Sequence, residues 1–183
     1  MSRTSLNVKN VALLEEHTKG RVVADLGAGQ DARVSHVIKQ RGALKVYAVD
    51  KDPVQRPDFH LITRRLALFH EWTPPPDCEV AFVGWPANNI PTVAGLIKLL
   101  PSFKKVIYVG KNTDGTACAN LLWFETMLNF QVLDFVEDRL NTMIVYDTSA
   151  WLPARRQPCC EEEMAALQPD LIQYGALQAP VIP

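Results

Sequence analysis

Seven short apolar runs, interleaved with four amphipathic stretches, predict an α/β fold in which helices flank a mostly parallel sheet of seven strands in three layers. Three observations carry the expectation. Residues 21–53 read as strand, glycine turn, helix, strand, within about the 30 residues a βαβ unit needs. Two further apolar runs, 80–83 and 104–110, bracket a helical stretch at 90–100. The last two β-type runs, 130–138 and 142–148, follow one another with no helix between them, so the sheet should finish in an antiparallel hairpin strand.

The elements follow in order. In residues 6–18, Leu6, Val11, Leu13 and Leu14 stand among polar neighbours, which predicts an amphipathic helix ended by Lys19-Gly20. Val22-Val23-Ala24 is long enough for a buried strand. A helix is expected to begin near Asp31, with Val34, Val37 and Ile38 on one face. Val46 to Val49 makes the second strand and ends in Asp50. Pro53 and Pro57 keep the next stretch irregular, and Leu61-Ile62-Thr63 is expected to form a short third strand, although Leu66, Leu68 and Phe69 admit a helix as well. Arg64 and Arg65 read best as a solvated face.

Thr73 to Asp77 is a stiff, proline-rich connector into Val80–Val83, a run apolar enough to be buried on both faces as central parallel strands are. Val93, Ile97 and Leu100 keep helical spacing up to Pro101. Residues 104–110 supply the fifth strand and 116–129 the next helix. After Trp151 prolines recur and no strong periodicity spans the chain, so residues 1–150 are expected to form one domain and 151–183 a peripheral tail.

Composition narrows the function classes. With 48% hydrophobic and 21% charged residues the chain is globular, and its 183 residues suit a single domain. The net charge of −1 provides no general attraction to nucleic acid. No stretch has the length of a membrane span, and the first ten residues lack a signal-peptide apolar region, so a cytoplasmic protein is expected. Cys78, Cys118, Cys159 and Cys160 show no C-x-x-C spacing and the four histidines are scattered, so no metal site is expected.

The chemistry concentrates in Asp25-Leu26-Gly27-Ala28-Gly29. At Gly27 and Gly29 a Cβ would keep the backbone from turning tightly and lying against a ligand. The following helix points its first free N–H groups into the same crevice. Asp50, at the tip of the second strand, is placed to hold both hydroxyls of a ribose. A nucleoside-bearing ligand is therefore expected across the carboxyl ends of the strands. Two families share this grammar. Gly27, Gly29 and Ala32 satisfy the dinucleotide pattern G-x-G-x-x-G/A, and Asp25, Gly27 and Gly29 satisfy D-x-G-x-G. A carboxylate at Asp25 gains little beside a pyrophosphate and much beside an ammonium in a partly dry crevice.

On that ground the run from Asp25 to Gly29 resembles the first motif of class I S-adenosylmethionine-dependent methyltransferases, whose fold is a Rossmann-like sandwich. The resemblance implies that S-adenosylmethionine is the cofactor, that it lies over Asp25, Gly27, Ala28 and Gly29 with Asp25 facing its amino-acid part, and that Asp50 binds the ribose with Lys51 and Asp52 beside the adenine. The antiparallel finish resembles that family's sheet. Gly84-Trp85-Pro86, at the fourth strand's tip, is similar to the fourth motif of amino-methyltransferases, but Gly84 supplies no side chain and Trp85 replaces a proline. Trp85 and Pro86, with Asn88 and Asn89, are the candidate acceptor-side residues; the bland reading is a Trp packing the loop and an Asn capping the next helix. The implied reaction is methyl transfer to an acceptor, protein, small molecule or nucleic acid, that the sequence does not name. A noncatalytic S-adenosylmethionine-binding scaffold and a nicotinamide-dependent oxidoreductase are the alternatives.

Overall fold

In the computed structural model, which describes residues 6–52, 62–68, 71–86, 90–110, 130–137 and 141–149, seven strands form one sheet. The strands are β1 (Val22–Leu26), β2 (Lys45–Asp50), β3 (Thr63–Leu66), β4 (Val80–Gly84), β5 (Lys105–Gly110), β6 (Gln131–Glu137) and β7 (Thr142–Asp147). Their spatial order is β3-β2-β1-β4-β5-β7-β6. The pairs β3/β2, β2/β1, β1/β4 and β4/β5 are parallel, while β7 runs antiparallel to both β5 and β6. The expected hairpin is therefore present, with a register shift between Val132 and Asp134.

The period of two along each strand sorts side chains into two cores. Ala24 and Leu26, Ala81 and Val83, Val106 and Tyr108, and Ile144 and Tyr146 all belong to one. Val23, Val80 and Phe82, Ile107 and Val109, and Met143 and Val145 belong to the other. The first core packs against Leu96, Ile97 and Leu99 of α3 (Ile90–Leu99) and Leu100 of the 3₁₀ turn that follows. The second takes Leu13 and Leu14 of α1 (Val8–Thr18) with Val34 and Ile38 of α2 (Arg33–Gln40). Each fully buried aliphatic or aromatic side chain here contributes roughly 1.5–3 kcal/mol.

Local chemistry sets the helix ends. Asn7 caps α1, its Oδ1 accepting the backbone N–H of Asn10 at 2.8 Å. Gly20 follows the C-terminus with φ +70. α2 starts at Arg33 rather than near Asp31, because Ala32 stands in the left-handed region at φ 43, ψ 38 and so cannot be its first turn. α3 gives way at Leu99 to the 3₁₀ turn Leu100–Ser102, since Pro101 cannot donate an α-helical hydrogen bond.

The third strand needs correction: it spans Thr63–Leu66, not residues 61–63. Its register on β2, from Tyr47 opposite Thr63 to Asp50 opposite Leu66, decides the matter. As the sheet's edge it pairs on one side only, so it needs no continuous apolar run and carries Arg65 exposed. The expected helix at 116–129 and the tail at 151–183 lie outside the described residues. No described helix is long and apolar enough to cross a membrane.

Cys78 is a buried free cysteine, as a small apolar residue of the core. Burial, reinforced by the charges of Asp77 and Glu79, pushes its thiol up to about 12. The unfolded chain ionises this thiol at a lower pH than the folded one. Its contribution to stability is therefore fully present at neutral pH and is lost as pH rises from about 9 towards 12. Urea titrations of wild type and Cys78→Ala across that window should converge on raising the pH; a constant gap between the two would contradict this.

Candidate functional site

The carboxyl ends of β1, β2 and β4 meet where the strand order reverses, the position at which open α/β sheets bind ligands. After Leu26 the chain turns through Gly27 at φ 80 and Gly29 at φ 71, conformations costing roughly 1–2 kcal/mol for a residue with a Cβ. The turn is tied to β2: the N–H groups of Gly27 and Ala28 donate to the carbonyl of Val49 at 2.8 and 3.2 Å. Ala28 is buried, so the tie also seats the turn on the core. A Cβ built on Gly29 would meet no atom within 4 Å, so open space lies beside the turn.

Asp50 closes this crevice. Its Oδ2 accepts the Gly29 N–H at 2.7 Å and its Oδ1 accepts the Asp52 N–H at 2.9 Å. Both oxygens are thus fixed by backbone donors, which sets the orientation of the carboxylate before any ligand arrives. A carboxylate offers about four acceptor sites, so two remain for further donors. Lys51 and Asp52 beside it are exposed.

Asp25 is 2% exposed, and its Oδ2 accepts the hydroxyl of Ser35 at 2.5 Å. Ser35 is itself fully buried in the first turn of α2. This contact locks α2 onto β1 and thereby aims the helix N-terminus at the glycine turn. Ser35→Ala removes a hydroxyl donor from a buried carboxylate and should cost about 1–3 kcal/mol by denaturant unfolding, with α2 loosened before the sheet in hydrogen exchange. A loss below about 0.5 kcal/mol would show that the contact does not secure the helix.

The tip of β4 is arranged differently. Trp85 has φ 48, its N–H donates to the carbonyl of Val109 at 2.7 Å, and its Nε1 donates to Oδ1 of Asn141 at 2.8 Å. Its ring packs against the core shared by α1 and α2, and Pro86 is buried. Asn141, 3% exposed, precedes β7 and so ties the β4 tip to the antiparallel end of the sheet. Asn88 and Asn89 lie outside the described residues.

The structure therefore brings Asp25, Gly27, Ala28, Gly29 and Asp50 around one turn, with Trp85 engaged at the neighbouring strand. Sequence reasoning missed Ser35 and Asn141. For Ser35 a signal existed, a hydroxyl between the apolar Val34 and Val37 at a helix start; for Asn141 only the fold supplies the partner.

No protein-family model and no curated protein matches the sequence. Solved structures do match the fold. M. capricolum TrmK in complex with the cofactor product S-adenosylhomocysteine is similar at TM-score 0.55 and 15% identity, over 87% of this chain and 75% of that one. The pyocyanin biosynthetic protein PhzM matches at TM-score 0.57 and 14% identity, over 76% and 55%. Human N-acetylserotonin methyltransferase in complex with S-adenosylmethionine matches at TM-score 0.54 and 12% identity, over 69% and 47%. The chain thus spans about half the length of the latter two. At these identities the likeness is one of fold, that of the class I methyltransferases.

Proposed function

We propose that this chain binds S-adenosylmethionine over the turn from Gly27 to Gly29 and transfers its methyl group to an acceptor entering beside the tip of β4. The observation that carries the reading is the Asp50 carboxylate, fixed 2.7 Å from the Gly29 N–H with open space beside that glycine. The donor set fits the cofactor. Asp50 has two acceptor sites left for the 2′- and 3′-hydroxyls of a ribose, charge-assisted bonds worth about 1.5–3 kcal/mol each. Lys51 stands beside it, near where an adenine would follow. The backbone of Gly27, Ala28 and Gly29 lets the amino-acid end lie close, because nothing projects from it at Gly29. Asp25, buried against Ser35 behind that turn, keeps α2 in position.

Bound there, the cofactor supplies an electrophilic methyl on a sulfonium. The chain's part is alignment: a rigid turn and a fixed carboxylate hold the donor, so that an acceptor at near-attack distance reacts without a search for orientation. We assign residues 1–150 to this three-layer, Rossmann-like domain and 151–183 to a peripheral tail.

The nicotinamide alternative is disfavoured by topology. Dinucleotide folds carry the parallel order 3-2-1-4-5-6, whereas here an antiparallel β7 is inserted between β5 and β6. A second reading, binding without transfer, is favoured by one specific feature: Trp85 spends its indole N–H on Asn141, Pro86 is buried, and Gly84 offers no side chain to an acceptor. Calorimetry with S-adenosylhomocysteine and with NAD tests the cofactor. Transfer of a radiolabelled methyl group to fractionated cell extract then separates the two readings. Binding with transfer supports the enzyme, binding alone the scaffold, and preferential binding of NAD overturns both.

A further inference from the structure

Away from the glycine turn, a second cluster assembles where the last turn of α1 crosses the edge strand β6. His17 is 8% exposed, and its buried Nε2 has no hydrogen-bond partner. The nearest carboxylate oxygen on β6, Oδ2 of Asp134, is 3.7 Å away, too far for a hydrogen bond. Glu16 precedes His17 at the protein surface, and one donor atom from each of Glu16, His17 and Asp134 lies within 4.8 Å of the others. A buried ring nitrogen without a hydrogen bond, in a cluster with two carboxylates, asks for a third party.

We propose that Glu16, His17 and Asp134 bind a divalent transition-metal ion of the zinc class, with solvent completing the shell. One imidazole nitrogen with two carboxylate oxygens is a donor set that zinc accepts, and the nitrogen selects against magnesium and calcium. Two carboxylates and a neutral imidazole also balance the charge of a dication. Metal–ligand bonds of about 2.0–2.2 Å bring ligand atoms roughly 3.3 Å apart, so the His17–Asp134 gap needs only a small closure. Lys105, the first residue of β5, borders the cluster, which therefore lies toward the amino ends of the parallel strands, away from the glycine turn. The ion clips α1 to an edge strand whose outer side pairs with no described strand.

One group opposes it. The ammonium of Lys105 is 3.3 Å from Nδ1 of His17, where it donates to the ring. That holds the ring proton on Nε2, the nitrogen the metal needs. Loading the site shifts the neutral ring to its other tautomer: Nε2 gives up its proton to solvent as Nδ1 takes one up, with no net proton released, and Lys105 turns away toward Asp147, its cross-strand neighbour on β7. Lys105 therefore weakens the site, and removing its charge strengthens it.

The full chain, stripped with chelator, is titrated calorimetrically with Zn(II), and its Co(II) form is followed by visible absorption. The proposal expects one Zn(II) per chain, a rise in melting temperature on loading, and no displacement by excess Mg(II). Glu16→Gln, at an exposed position that folding does not need, weakens binding by about tenfold, and His17→Ala by about 100-fold or more. Lys105→Met tightens it. Absence of Zn(II) binding, wild-type affinity in Glu16→Gln, weaker binding in Lys105→Met, or a Co(II) spectrum dominated by thiolate charge transfer overturns the site; the last would place the ion on cysteines.

Discussion

Asp50→Ala is expected to weaken S-adenosylhomocysteine binding by about 100-fold, read by calorimetry at constant salt. Two losses combine. The two acceptor sites for ribose hydroxyls disappear, worth about 3 kcal/mol together when their partners must still be desolvated. The Gly29 and Asp52 N–H groups also lose the acceptor that holds them at 2.7 and 2.9 Å, so the turn no longer arrives in its binding shape. Asp50→Asn keeps one acceptor oxygen but presents an NH₂ to a backbone donor, and should fall between the two. Asp77→Ala serves as the control, since Asp77 is an exposed acid that precedes β4, at the opposite end of that strand from the glycine turn. The binding site is misplaced if Asp50→Ala, folded by near-ultraviolet circular dichroism, keeps its affinity.

Gly110→Ala should be the most destabilising single methyl addition in the sheet. A Cβ at Gly110 would sit 2.5 Å from the hydroxyl oxygen of Tyr108, 2.6 Å from its Cε1 and 2.8 Å from its Cζ. Tyr108 is 1% exposed and wedged in the core on the α3 side, so its ring cannot swing aside without displacing neighbours. Overpacking of this kind costs about 3 kcal/mol. At this chain length that lowers the melting temperature by roughly 6–12 °C. Because Gly110 also pairs with Thr142 of β7, the strain falls on the antiparallel seam and should speed unfolding. A shift of less than 2 °C or so would mean the ring has another place to go.

Why some features were legible and others were not follows from what each depends on. β1, β2, β4 and β5 are central strands buried on both faces, so their apolar runs must be continuous and stand out in the sequence. β3 is an edge strand; its position is set by backbone hydrogen bonds to β2 rather than by an apolar run, so it starts two residues later than the apolar pattern predicts. The α2 boundary moved for a similar reason, since a left-handed Ala32 leaves no trace in composition. Trp85 was visible as a ring beside a proline, but its hydrogen bond to Asn141 joins residues from opposite halves of the chain. His17 and Asp134, 3.7 Å apart, are likewise brought together from opposite halves of the chain. Scattered histidines in a sequence say nothing about which carboxylate lies across from them.

What this sequence determines alone is local: the alternation of strand and helix, the bare turn at Gly27 and Gly29, and an acid at the tip of the second strand, because period and backbone freedom are properties of neighbouring residues. Only the tertiary structure decides that β7 inserts between β5 and β6, that Asp25 is spent on Ser35, and that Asp50 grips Gly29. Those pairings join residues that are not chain neighbours, ten apart for Asp25 and Ser35 and 21 for Asp50 and Gly29, and their free energy exists only once the fold has brought them within bonding distance.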